Sequence, residues 1–127
     1  MPWRAAAETF ATAGLAGTRY DMVAQATVRS RAVDERVEQI DLRGEFDLLG
    51  ADHLRHALQA AADRGATVVR VDASAVGLMD STTIGVLLFF GRHFADQGGG
   101  MELTHRDVLA RPIEMSGLDR LIETRSA

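Results

Sequence analysis

The chain has 127 residues, enough for one domain with a single core and too few for two. Apolar residues make up 46% and charged residues 25%, and the formal net charge of −4 gives no electrostatic footprint for nucleic acid or an anionic membrane. No cysteine is present, which excludes disulfides, thiolate metal sites and cysteine nucleophiles.

Residues 1–19 are rich in Ala, Thr and Gly, with Trp3, Phe10 and Leu15 as isolated large apolar residues. They are expected to be an N-terminal extension, a loose arm in preference to a short helix around residues 5–11, with the domain over residues 20–127. Arg4 is followed by no sustained apolar stretch, since Glu8 and Thr9 interrupt it, so a secretory leader is not expected. The longest apolar run, residues 86–90, is far short of the roughly 18 residues that span a bilayer. A cytoplasmic location is the expectation.

Residues 22–29 alternate, with Ala24, Ala26 and Val28 on one side and Gln25, Thr27 and Arg29 on the other, the period of a half-buried strand. After a polar turn at 30–35, residues 37–43 carry Ile40 and Leu42 on one face, and the two strands are expected to form a hairpin. Gly44-Glu45-Phe46-Asp47 then breaks the pattern. Leu54, Leu58, Ala61 and Ala62 recur at helical spacing up to Gly65. Residues 67–71 form a β-branched run suited to a strand buried on both faces.

Residues 72–79 are expected to be a loop and residues 81–97 a helix, stopped by Gly98-Gly99-Gly100. A strand at 101–104 and a helical segment at 107–115, closed by Gly117, follow, and residues 118–123 pack on afterwards. Pro112 removes a backbone bond, at about 3 kcal/mol, if that segment is helical from Asp107. It sits harmlessly at the first helical position if the helix begins near Arg111. Strands alternating with helices imply an α/β fold, a sheet of four to five strands covered by helices and made mixed by the initial hairpin.

Ser81 stands where a strand–loop–helix unit begins its helix. In a structural reading its hydroxyl caps free N–H groups of the first turn. In a regulatory reading a phosphoryl group there adds about −1.5 to −2 charges and three acceptor oxygens beside the helix start, with Asp80 repelling it. At about 100° per residue, Ile84, Leu87, Leu88, Phe94 and Ala95 gather on a core face, while Thr82, Gly85, Val86, Phe89 and His93 lie opposite. Either this helix is buried on both sides, or Val86 and Phe89 form a docking surface beside Ser81.

His53 and His56 are three apart on a helix but lack a third ligand nearby, so no metal site is expected. His93 reads as an exposed helix residue and His105 as a loop residue. No Gly-x-Ser-x-Gly elbow surrounds Ser81, and no Gly-Lys-Ser/Thr follows the glycine run, so neither a hydrolase nor a phosphate-cradling loop is indicated.

The block Asp72-x-Ser74 followed by Met79-Asp80-Ser81-Thr82-x-Ile84-Gly85-Val86-Leu87-Leu88 resembles the signature of STAS domains, named for sulfate transporters and anti-sigma factor antagonists. Gly44-Glu45-Phe46-Asp47 resembles that family's turn after its second strand, usually Gly-Glu-Leu-Asp, and Arg111-x-x-Glu114-Met115-Ser116-Gly117-Leu118 its last helix and turn. The resemblance implies helices mainly on one face of the sheet and an antagonist that works by partner switching. The unphosphorylated protein would bind an anti-sigma factor that is also a serine kinase, freeing a sigma factor. Phosphorylation by that kinase would release it, and a metal-dependent serine phosphatase would reset it.

By the same resemblance the phosphoacceptor is Ser81, directly after Met79-Asp80, and Asp47 and Asp80 match acidic positions near it. The expected partner-binding residues are Asp47, Asp80, Thr82, Thr83, Val86 and Phe89. The protein is expected to be a monomer in a stress response, with no catalytic activity and no cofactor. Thr83 departs from the Gly common in the family, stiffening the first helical turn and adding bulk at the kinase-facing edge. The alternative is a non-switching STAS subunit of a transporter or larger signalling complex, which Thr83 supports and the intact Met79-Asp80-Ser81 opposes. A nucleotide-binding sensor ranks lower, because no nucleotide motif is present.

Overall fold

A computed structural model describes residues 18–23 and 25–127. One sheet has the order β1 (Thr18–Val23), β2 (Ala26–Ala32), β3 (Val37–Phe46), β4 (Val68–Met79), β5 (Gly100–His105), β6 (Glu123–Ser126). Strands β1 to β3 run antiparallel to their neighbours, and β3 to β6 are mutually parallel. Helix α1 (Leu48–Asp63) joins β3 to β4 and α2 (Ser81–Asp96) joins β4 to β5. A 3-10 turn (Asp107–Leu109), α3 (Ala110–Ser116) and α4 (Leu118–Leu121) join β5 to β6. Every parallel crossover steps one strand in the same direction, and the right-handed rule then sends all the helices to one face. The mixed α/β sheet with helices on one face is the architecture expected from the sequence, and β1 and β6 extend it at the edges.

Alternation along the strands separates the two faces. Val28, Ile40, Leu42, Val69, Val71 and Leu103 are buried under the helices, against Leu54, Leu58, Leu87, Phe94, Ile113 and Leu118. The other face is uncovered and polar, with Thr27, Arg29, Gln39, Asp41, Arg70 and Glu102 half-buried or exposed. Arg29 Nε donates to Asp41 Oδ2 at 3.1 Å across β2 and β3 on that face. On the covered face, Glu38 is buried and its two carboxylate oxygens accept from Arg64 Nε and Nη2, each at 2.6 Å, which fastens the end of α1 to β3.

Several expectations need correction. The strand expected over 22–29 straddles a turn, with Val23 paired to Ala26; Gln25 and its neighbours include no Gly, Pro, Asn or Asp to mark it. The extension expected over 1–19 lies outside the described residues except for Thr18 and Arg19, which open β1. Gly44-Glu45-Phe46 ends strand β3 and is not a turn. Gly44 has φ +102°, and a Cβ there would stand 1.7 Å from the Gln25 carbonyl oxygen, so only glycine fits.

Residues 72–79 are not a loop but the second half of β4. The register against β3 shifts twice, between Asp41 and Arg43 and between Gly44 and Glu45, so β4 carries an extra residue each time. Its inward residues therefore run Val69, Val71, Ala73, Val76, Met79, spaced by two and then by three, which no single period reads as strand. His105 is not in a loop; it ends β5, buried, with Nδ1 2.9 Å from the Arg106 carbonyl oxygen. Half-buried His93 packs edge-on to Phe94 at 5.3 Å between ring centroids. Pro112 is the third residue of α3, within the turn whose N–H groups have no helical partner, so it breaks no bond.

Candidate functional site

Strands β3 and β4 end side by side, with Phe46 paired to Met79, and the next residue in each chain segment starts a helix. Asp47 caps α1, its Oδ1 accepting from Leu49 N at 3.1 Å and Gly50 N at 3.2 Å. Asp80 caps α2, its Oδ1 accepting from Thr83 N at 2.9 Å. Short acidic side chains are favoured at this position because they satisfy N–H groups that the helix leaves unpaired and complement its dipole. The Phe46 carbonyl accepts from Asp80 N at 3.0 Å and lies 3.2 Å from the Thr83 hydroxyl, itself 2.9 Å from Asp80 Oδ1. The end of β3 and the first turn of α2 are thereby tied into one unit.

This arrangement tests the structural reading of Ser81. Asp80 is the cap, so the structural reading of Ser81 as the capping residue is overturned. Ser81 is the first residue of α2, exposed, with a hydroxyl that makes no hydrogen bond among the described residues. Thr83 is also corrected. It is fully buried, so its bulk points into the domain and not toward a partner, and its β-branched hydroxyl anchors the helix start. Asp47 and Asp80 lie at the same end of the sheet as Ser81, but both carboxylates are engaged in capping.

Further along α2 the buried stripe is Thr83, Ile84, Leu87, Phe90, Gly91 and Phe94, leaving Leu88 half-buried and Ala95 exposed. The expected core face was therefore rotated by about one residue. Thr82 and Gly85 are exposed, Val86 is half-buried against the core, and Phe89 is 66% exposed. The helix is not buried on both sides. Val86 and Phe89 line a groove between α1 and α2 with Thr82, Gly85, Arg55 and Gln59. Arg55 is committed to Asp52 at 2.6 Å, and that hydrogen bond holds the Asp52 carboxyl below its ordinary value.

A second groove runs on the other side of Ser81, between α2 and α3. Ser81, Gly85, Leu88, Arg111, Pro112 and Met115 line it. Sequence reading missed the apolar residues exposed at this end of the molecule: Leu48, Leu49, Leu78 and Met115, the last 74% exposed. Leu48 and Leu49 directly follow a cap, and in both α1 and α2 the first two residues after the cap are exposed, so that position was the available signal. Among the described residues no group of three His, Asp or Glu is placed to hold a metal ion. No described helix is long and apolar enough to cross a membrane.

Three comparisons bear on this site. A family model described as Mlab, STAS domain, matches residues 30–123. The anti-sigma-B factor antagonist of Bacillus subtilis (strain 168) is 33% identical over 86 residues, which cover 67% of this chain and 78% of that protein. Among solved structures, the anti-sigma factor antagonist SpoIIAA in its unphosphorylated form aligns with a TM-score of 0.70 at 20% identity, over 79% of this chain and 87% of that one. The Bacillus cell fate determinant SpoIIAA in its phosphorylated form gives 0.65 at 20% identity, over 79% and 90%. The structural likeness shows the fold alone, but together with the family model and the curated relative it agrees with the motif order read from the sequence. The chain belongs to the STAS domain family.

Proposed function

We propose that this protein is an anti-sigma factor antagonist switched by phosphorylation of Ser81. The observation that carries the reading is the first turn of α2. Asp80 does the capping, which leaves the Ser81 hydroxyl exposed and uncommitted at the head of a rigid helix. Similarity to the Bacillus subtilis antagonist, and the existence of SpoIIAA in phosphorylated and unphosphorylated forms, support it.

The partner is an anti-sigma factor with serine kinase activity. It docks over Thr82, Val86 and Phe89, with Asp47 and Asp80 at the edge of the contact, and thereby frees its sigma factor. The kinase transfers the γ-phosphoryl group of a nucleoside triphosphate to Ser81 Oγ. The Oγ–P bond forms as the bridging P–O bond breaks, the hydroxyl proton passes to solvent, and nucleoside diphosphate leaves. The added charge, beside Asp80, expels the partner, and a serine phosphatase restores the hydroxyl. The protein is a cytoplasmic monomer with no catalytic step of its own.

The non-switching subunit loses its main support. Thr83 was the departure that favoured it, and Thr83 is buried, so the substitution concerns how the helix is anchored and not what the surface presents. The test is a titration of the anti-sigma kinase captured from native cells on the Ser81→Ala variant. Ser81→Ala is expected to bind and resist release by ATP, whereas Ser81→Asp binds at least about tenfold more weakly, roughly 1.4 kcal/mol. Equal affinity for the two variants would favour a constitutive subunit.

A further inference from the structure

We infer that Arg111 is the intramolecular partner of a phosphoryl group on Ser81, so that modification closes the α2–α3 groove with a salt bridge as well as adding charge. The inference rests on Ser81 being the acceptor. Asp80 Oδ1 already occupies the Thr83 N–H, and its carboxylate stands next to Ser81, so a dianion there needs a cation from another element. Two arginines line the grooves beside Ser81. Arg55, on the α1 side, is held by Asp52 at 2.6 Å. Arg111, on the α3 side, lines the same groove as Ser81 and is exposed, and its side chain makes no ion pair or hydrogen bond among the described residues.

The groove is built to let the pair form. Arg111 sits in the first turn of α3, followed by Pro112, whose ring fixes the local backbone. Gly85, one helical turn after Ser81 in the lining of the same groove, is exposed and has open space where a Cβ would stand, so no side chain there bars a guanidinium from crossing. The planar fork of arginine suits two phosphoryl oxygens at once, which an ammonium does not. With Arg111 drawn across, Leu88 and Met115 are covered by a hydrated ion pair, and an apolar side chain of a partner can no longer enter. Phosphorylation then reshapes the α2–α3 side of the surface around Ser81 in addition to changing its charge.

The test uses the full chain with phosphoserine installed at position 81 during translation, so it does not depend on which residue the cellular kinase selects. The 31P chemical shift is followed with pH in the unsubstituted protein and in Arg111→Gln and Arg111→Lys. The phosphoryl midpoint is expected about 0.3 to 0.7 unit lower with Arg111 than with Gln, the shift an exposed ion pair sustains. Lys should recover part of it, and 1 M salt should erase the difference. Arg111 is exposed, so the variants should fold, and amide spectra check this. Identical midpoints for Arg111 and Gln at low salt overturn the inference. Absence of phosphate on Ser81 in native cells overturns the switch itself and leaves this titration as it stands.

Discussion

At Thr83 one hydroxyl joins the end of β3 to the start of α2. It lies against both the cap of α2 and the last carbonyl of β3, at 2.9 Å and 3.2 Å, in a fully buried setting. Thr83→Val keeps the shape and removes that link, while Asp80 keeps the Thr83 N–H and Phe46 keeps the Asp80 N–H. The expected loss is about 1 kcal/mol, read from the midpoint of urea unfolding. An unchanged midpoint would mean that the hydroxyl contributes nothing and that backbone bonds alone hold the junction. The exposure of Phe89 was legible at this scale as one of two alternatives, because it broke the helix's apolar stripe. Thr83 was not. Its methyl and hydroxyl leave inside or outside open, and the true stripe through Thr83, Leu87, Phe90 and Phe94 is disguised by the adjacent Phe89.

Most elements were legible where a single period ran through them, residues 22–29 being the exception because their alternation continues across the β1–β2 turn. Helix α2 and strand β5 fall within about a residue of expectation, since each has one buried face and glycine or a cap at its ends. Strand β4 was half lost because its two bulges change the period, and β6 because four residues give too little alternation to read. The bulges matter to the site: they let β4 stay in step with β3 until Asp80 reaches its capping position. Gly44 is the matching feature on β3, at φ +102° with the Gln25 carbonyl 1.7 Å from where a Cβ would be. Gly44→Ala should cost at least about 2 kcal/mol, through left-handed strain and displacement of the β1–β2 turn. A thermal melt within about 0.5 kcal/mol of the parent would show that the backbone relaxes freely there.

For the molecule as a whole, element order was sufficient to place the helices on one side, because the parallel steps β3 to β6 share one direction and one handedness. What order could not reveal is how unevenly the sheet is protected. Val69 and Val71 of β4 and Ile40 and Leu42 of β3 sit at its centre, at most 2% exposed, whereas β6 is an edge strand with no fully buried residue. Amide hydrogen exchange should therefore be slowest at the centres of β3 and β4 and fastest in β1 and β6, with the head of α2 closer to the slow group. Protection in β6 equal to that in β4 would contradict this gradient.

The knot of Phe46, Asp80 and Thr83 has a kinetic consequence. A residue mounted on such a knot needs no refolding before or after it is modified, and no order–disorder step stands between its two forms. If Ser81 is the switch, the lag between a signal and the response is then set by how fast kinase and phosphatase turn over and how quickly the partner departs. The antagonist itself adds no delay, and its memory of a past signal lasts only as long as the phosphate ester does.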